Sequence, residues 1–83
     1  MRMPYVTQKQ RKELLDRPPK DAGELNYYLT MVISSYIEEE ENGERYQTYN
    51  DIIGVLSCIQ HELYRRKIAP YENKKIKSNG DVY

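Results

Sequence analysis

The sequence predicts an all-α protein: a short N-terminal helix, then a helical hairpin whose C-terminal helix is long, assembled as an oligomeric bundle. Helix-start patterns recur at Thr7, Asp21 and Thr48. Two long apolar stripes repeat every three or four residues. No stretch alternates apolar and polar side chains as a half-buried strand would, and no internal repeat is visible.

The first helix is expected over 7–16. Thr7 with Gln10 three positions on makes a capping box, and Leu14 and Leu15 supply apolar contact. Pro18 ends it by pushing Arg17 out of helical geometry. The second helix is expected over 21–41, opened by Asp21 with Glu24 at capping-box spacing. Its stripe is Leu25, Leu29, Val32, Ile33, Tyr36 and Ile37, and Asn42 with Gly43 closes it. The run Glu38 to Glu41 sits where the helix dipole disfavours negative charge. It reads either as a solvated, fraying end or as a surface for a cationic partner, such as the basic C-terminal segment of another subunit.

The third helix is expected over 48–78, starting at Thr48 with Asp51 three positions on. Ile52, Ile53, Leu56, Ile59, Gln60 and Leu63 form its stripe. Gly54 and Cys58 lie one turn apart on a neighbouring face, small enough to admit another helix closely. Pro70 either kinks this helix or stops it and restarts it as a first helical residue. A continuous helix over 49–78 would span about 45 Å, more than the second helix can cover, and a second copy is the simplest cover. Residues 79–83 form a tail in which Val82 and Tyr83, like Ile76 before them, are apolar enough to dock, on a neighbouring subunit.

Size sharpens the same expectation. The 83 residues read as one helical domain, 1–83. A chain this short buries only about 60 to 65% of its unfolded surface and usually leans on disulfides, a metal or a partner chain. Cys58 is the only cysteine, which excludes an internal disulfide, and no Cys/His cluster suits zinc. Partner chains, or unusually good helix packing, remain. No apolar run reaches membrane-spanning length and the N-terminus does not open a signal peptide, so a cytoplasmic, membrane-free protein is expected.

The net charge is zero but segregated. Residues 1–20 carry six basic and two acidic side chains, 21–51 one and eight, 52–83 six and three. Such a pattern fits basic ends lying beside an acidic middle and argues against a general DNA binder. All nine aromatic residues are tyrosine, with no Phe and no Trp. Tyrosine packs like phenylalanine but its hydroxyl needs a partner when buried, which suits either the rim of a small core or a surface that lines an interface or stacks on a ring-bearing ligand.

The residues closest to a chemical constellation are His61, Tyr64, Arg65 and Ile68 on one face of the third helix, with Arg66 and Lys67 beside them and Tyr71 a turn on. Guanidinium groups grip phosphate through paired hydrogen bonds and tyrosine stacks on bases, so the face suits a phosphorylated, ring-bearing molecule. The bland reading is a solvated face on which Glu62 pairs with Arg65 or Arg66. Catalysis has less to draw on. Cys58 and His61 are neighbours on one helix, but no orienting group or oxyanion site accompanies them and Cys58 is expected as a packed thiol. No glycine-rich phosphate loop occurs, and neither an enzyme activity, a cofactor nor a metal is expected.

The segments Leu25 to Tyr27, Tyr49 to Leu56, Glu62 to Arg66, Ala69 to Glu72 and Asn79 to Tyr83 resemble a family of small uncharacterised phage and bacterial proteins with Tyr-Arg-Arg, Ala-Pro-Tyr-Glu and Asn-Gly-Asp-Val-Tyr endings. The resemblance covers nearly the whole chain and implies a phage or mobile-element origin. Small oligomeric phage proteins include sponges that sequester cyclic nucleotide signals in bacterial defence. The expectation that follows is a non-enzymatic homo-oligomer that binds and sequesters a nucleotide-like signal, with an anti-defence role. In it Arg65, Arg66 and Lys67 meet phosphates while Tyr64 or Tyr71 stacks on a base. The competing expectation is an interaction module that inhibits or adapts a host protein, and a third is a virion-associated component.

Overall fold

The computed structural model describes residues 6–39 and 43–83. The described chain is all-helical, with no strand, and its last helix is by far the longest. It divides into two compact units, Met1–Arg45 and Tyr46–Tyr83.

In the first unit, α1 covers Gln8–Glu13. Thr7 caps it: its hydroxyl accepts from the Gln10 N–H at 3.1 Å, and the Gln10 side-chain oxygen accepts from the Thr7 N–H at 2.7 Å. A cap of this kind contributes about 1 kcal/mol. The helix is shorter than the expected 7–16 because its last turn tightens. Leu15 and Asp16 donate to the carbonyls three residues back, Lys12 and Glu13, and Arg17 then leads into Pro18 and Pro19. Val6 and Leu14 are the buried apolar residues among those described.

Helix α2 covers Ala22–Glu39. Asp21 caps it through its carboxylate, which accepts from the Glu24 N–H at 2.8 Å. The reciprocal half of the expected box is absent, since the Glu24 carboxylate turns away to other donors described below. The stripe residues Leu25, Leu29, Val32 and Tyr36 each remain nearly half exposed. Residues 40–42 lie outside the described chain, and with them Glu40 and Glu41 of the Glu38 to Glu41 run and Asn42. Gly43 has φ +63°, the left-handed geometry that favours glycine after a helix.

The second unit is one continuous helix and a short tail. Helix α3 covers Tyr46–Leu63, a π-helical turn covers Tyr64–Ile68, and α4 covers Ala69–Asn79. The expected start at Thr48 is corrected by two residues: Thr48 stands buried inside the first turn instead of capping it. Gln47 and Asp51 brace that turn with a side-chain hydrogen bond of 2.7 Å. Pro70 neither breaks the helix nor restarts it. Leu63, Ile68 and Ala69 all keep right-handed helical dihedrals, and the Ala69 N–H donates to the Tyr64 carbonyl five residues back. A proline ring inside an α-helix clashes with the carbonyl four residues before it, and the wider turn ahead of Pro70 relieves that clash. Gly80, at φ +88°, ends α4 and donates its N–H to the Ile76 carbonyl at 2.8 Å.

Candidate functional site

Among the described residues, the predicted constellation lies across the junction of α3 and the π-turn. His61 and Tyr64 line a shallow concavity of about 440 Å³ with Gln60, Leu63 and Ile68. The widened turn is what brings Ile68 onto the same face as Leu63. The lining of the concavity is mostly apolar.

The arginines do not face this concavity as free cations. Arg65 is held by Glu62 through hydrogen bonds of 2.8 and 3.2 Å, and Arg66 reaches the same carboxylate at 3.5 Å. Arg65, with Arg66 behind it, holds the Glu62 carboxyl below its usual range, and Glu62 raises the Arg65 guanidinium in turn. All three side chains are more than half exposed. Such a surface pair is weak.

Glu72, by hydrogen bonding and by its charge, pushes the Tyr64 phenol above its ordinary value. Tyr71 takes a different partner: the Lys75 ammonium sits 5.5 Å from its ring centroid. Tyr71 also lines a second concavity with Glu72, Lys75, Ile76 and the tail residues 79–83. The structure therefore joins His61 and Tyr64 in one hollow, places Arg65 and Arg66 on Glu62, and assigns Tyr71 to another hollow. Lys67 joins neither.

The residues proposed for an interface are uncovered. A Cβ added at Gly54 would meet nothing within 4 Å, and Val82 and Tyr83 are almost wholly exposed. Cys58 is a free, exposed thiol. The single chain leaves this thiol unpacked, as it does the neighbouring Gly54.

The most elaborate polar cluster is one that the sequence did not announce. Glu24 is 3% exposed and accepts from both Arg17 guanidinium nitrogens at 2.7 and 3.0 Å, from the Lys20 N–H at 3.0 Å and from the Gln10 amide at 3.0 Å. Arg17 also reaches Glu13 at 2.9 Å. These donors, Arg17 first and then the Lys20 N–H, pull the Glu24 carboxyl down to about 2. The guanidinium of Arg11 lies 5.4 Å from the Tyr27 ring, a further tie between α1 and α2. Gln10 and Glu24 are the third residues of their respective helices, and each was read only as half of a local capping box. Their side chains in fact bond to each other. The cluster is saturated by its own donors and acceptors and so reads as a clamp on the helix junction.

Among the described residues no group of three His, Cys, Asp or Glu is placed to hold a metal ion. No described helix is long and apolar enough to cross a membrane. No curated protein and no solved structure matches the chain. Residues 3–82 match the model of the family described as Domain of unknown function (DUF6899), and the chain belongs to that family.

Proposed function

We propose that this protein acts by binding and not by catalysis, as a protein-interaction module whose recognition surface is the long helix of the second unit. One observation carries this reading. Ile53, Ile59 and Leu63 follow one another along the stripe of α3, and each is more than half exposed. Soluble monomers rarely leave a contiguous apolar band of that length open, and such a band marks an interaction surface. An amphipathic helix offering anchors at three- and four-residue spacing is a common way for one protein to fit another. Native mass spectrometry of the protein purified from its own host tests the reading. The expected spectrum shows the chain with protein subunits attached, whether its own copies or others. A bare monomer at every concentration would overturn it.

A second reading keeps the phosphorylated, ring-bearing ligand of the nucleotide class, sequestered by an oligomer. The concavity walled by His61, Tyr64 and Ile68 favours it, because exposed Arg65 and Arg66 stand beside an apolar hollow wide enough for a planar ring. Titration calorimetry with cyclic di- and trinucleotides discriminates the readings. Binding that Arg65→Ala and Arg66→Ala abolish supports the ligand, and no heat with any of them removes it.

A further inference from the structure

The π-turn has a consequence for the surface that flanks it. A turn closed five residues back takes in one residue more than an α-turn. Everything beyond it is set back by about one residue, roughly 100° around the axis. In an unbroken α-helix Ile68 would stand about 140° from Leu63 and Tyr71 about 80° from it. With the extra residue absorbed, these angles fall to about 40° and 20°. The stripe of α3 therefore runs on through the turn: Ile53, Leu56, Ile59 and Leu63 continue as Ile68 and Tyr71. The shared hollow of Leu63, Tyr64 and Ile68 fits this phase.

The charges along this helix are as ordered as the stripe. From Tyr46 to Leu63 the ionised side chains are Asp51 and Glu62, both acidic. From Tyr64 to Asn79 there are six basic residues and one acidic, Glu72.

From these observations we infer that the stripe from Ile53 to Tyr71 is the contact face of a two-fold, antiparallel pairing between two copies of this helix, kept in register by the π-turn. This rests on the reading of the helix as the recognition surface and names its partner. Two-fold pairing is self-complementary, so one stripe serves both copies. The antiparallel sense sets the acidic half of each helix against the basic half of the other. A parallel pair would align the six cations of one copy with the six of its neighbour. Exposed charges supply little affinity but select between such orientations.

Analytical ultracentrifugation of the full chain tests the face. Wild type is expected as a dimer, Leu56→Asp and Ile59→Asp as monomers, and Cys58→Asp, at least about 100° from every stripe residue of α3, as a dimer again. Spin labels on Asp51→Cys in a Cys58→Ser background test the sense. Matched antiparallel ends put the labels about 35–40 Å apart, a parallel pair about 10–15 Å. Deleting Arg66 together with Pro70→Ala removes the need for the wide turn, preserves the phase and should keep the dimer. Inserting one alanine after Arg66 in the Pro70→Ala chain should weaken it at least tenfold. A dimer that survives Leu56→Asp and Ile59→Asp, or a short label distance, overturns the pairing while leaving the helix as a recognition surface. A wild-type monomer retaining no partner overturns both.

Discussion

Glu24 shows how a single buried carboxylate ties sequence-distant residues together. A carboxylate is costly to bury unless donors replace its water, and here Arg17, the Lys20 N–H and Gln10 do so from both sides of the Pro18–Pro19 turn. A forked guanidinium on a carboxylate is also the most directional ion pair available to a protein. The consequence is a pH dependence with a definite sign. The Glu24 carboxyl ionises at about 2 in the folded chain against 4.5 when unperturbed, so its stabilisation is complete above pH 4.5 and is lost as pH falls towards 2. Glu13 and Glu62 are lowered as well, by Arg17 and Arg65 respectively, and add to the same slope. Thermal melts followed by circular dichroism between pH 7 and pH 2 are expected to show Glu24→Gln less stable than wild type at neutral pH, with the gap closing across that acid window. A gap independent of pH would show that the charge on Glu24 contributes nothing. Glu24→Asp, one methylene short of the fork, should recover only part of the loss.

At the scale of elements, the described helices end for different local reasons, and these were unequally legible. Gly80 closes the long helix with a backbone geometry that only glycine adopts without strain. A Cβ there meets no neighbouring atom, so Gly80→Ala isolates the torsional penalty, about 1–3 kcal/mol. Hydrogen exchange should show faster opening at the Ile76 to Gly80 bond and no change at Thr7. The Thr7 capping box was readable from two residues because both halves are local. The stripes were readable because helical period is a property of sequence alone. The start at Tyr46 was not, since Thr48 and Asp51 match a cap but Thr48 is drawn into a buried position. Nor was the π-turn: Pro70 announces a steric problem, and kinking, stopping and widening all answer it. Only the Tyr64 carbonyl accepting from Ala69 shows which answer this chain uses. For the candidate site, residue types and spacing sufficed to place His61 beside Tyr64. They also offered the pairing of Glu62 with Arg65 or Arg66, which the structure shows with both at once. Spacing alone could not choose between that pairing and a ligand, because i,i+3 and i,i+4 pairs are weak.

For the whole molecule, the governing quantity is how little apolar surface the described chain covers by itself. Val6 and Leu14 are its buried apolar residues, while Leu29, Val32, Ile53, Ile59, Leu63 and Val82 stand open. A chain in that position gains stability by mass action, because a partner that binds only the folded form shifts the folding equilibrium. The thermal midpoint is therefore expected to rise with protein concentration, by about 5 °C or more between micromolar and hundred-micromolar samples. A monomer completed by its own core would melt at one temperature throughout. The tail refines the expectation. Val82 and Tyr83 extend beyond the last helix with almost all of their surface in water, an expensive arrangement for two apolar side chains unless something covers them. A chain ending at Ser78 retains the stripe but loses Gly80, Val82 and Tyr83. If the tail docks on a neighbouring copy, light scattering should report a lower mean mass for this truncated form at equal concentration, and its midpoint should depend on concentration more steeply. Equal masses would confine the association to the helix stripe and leave the tail outside it.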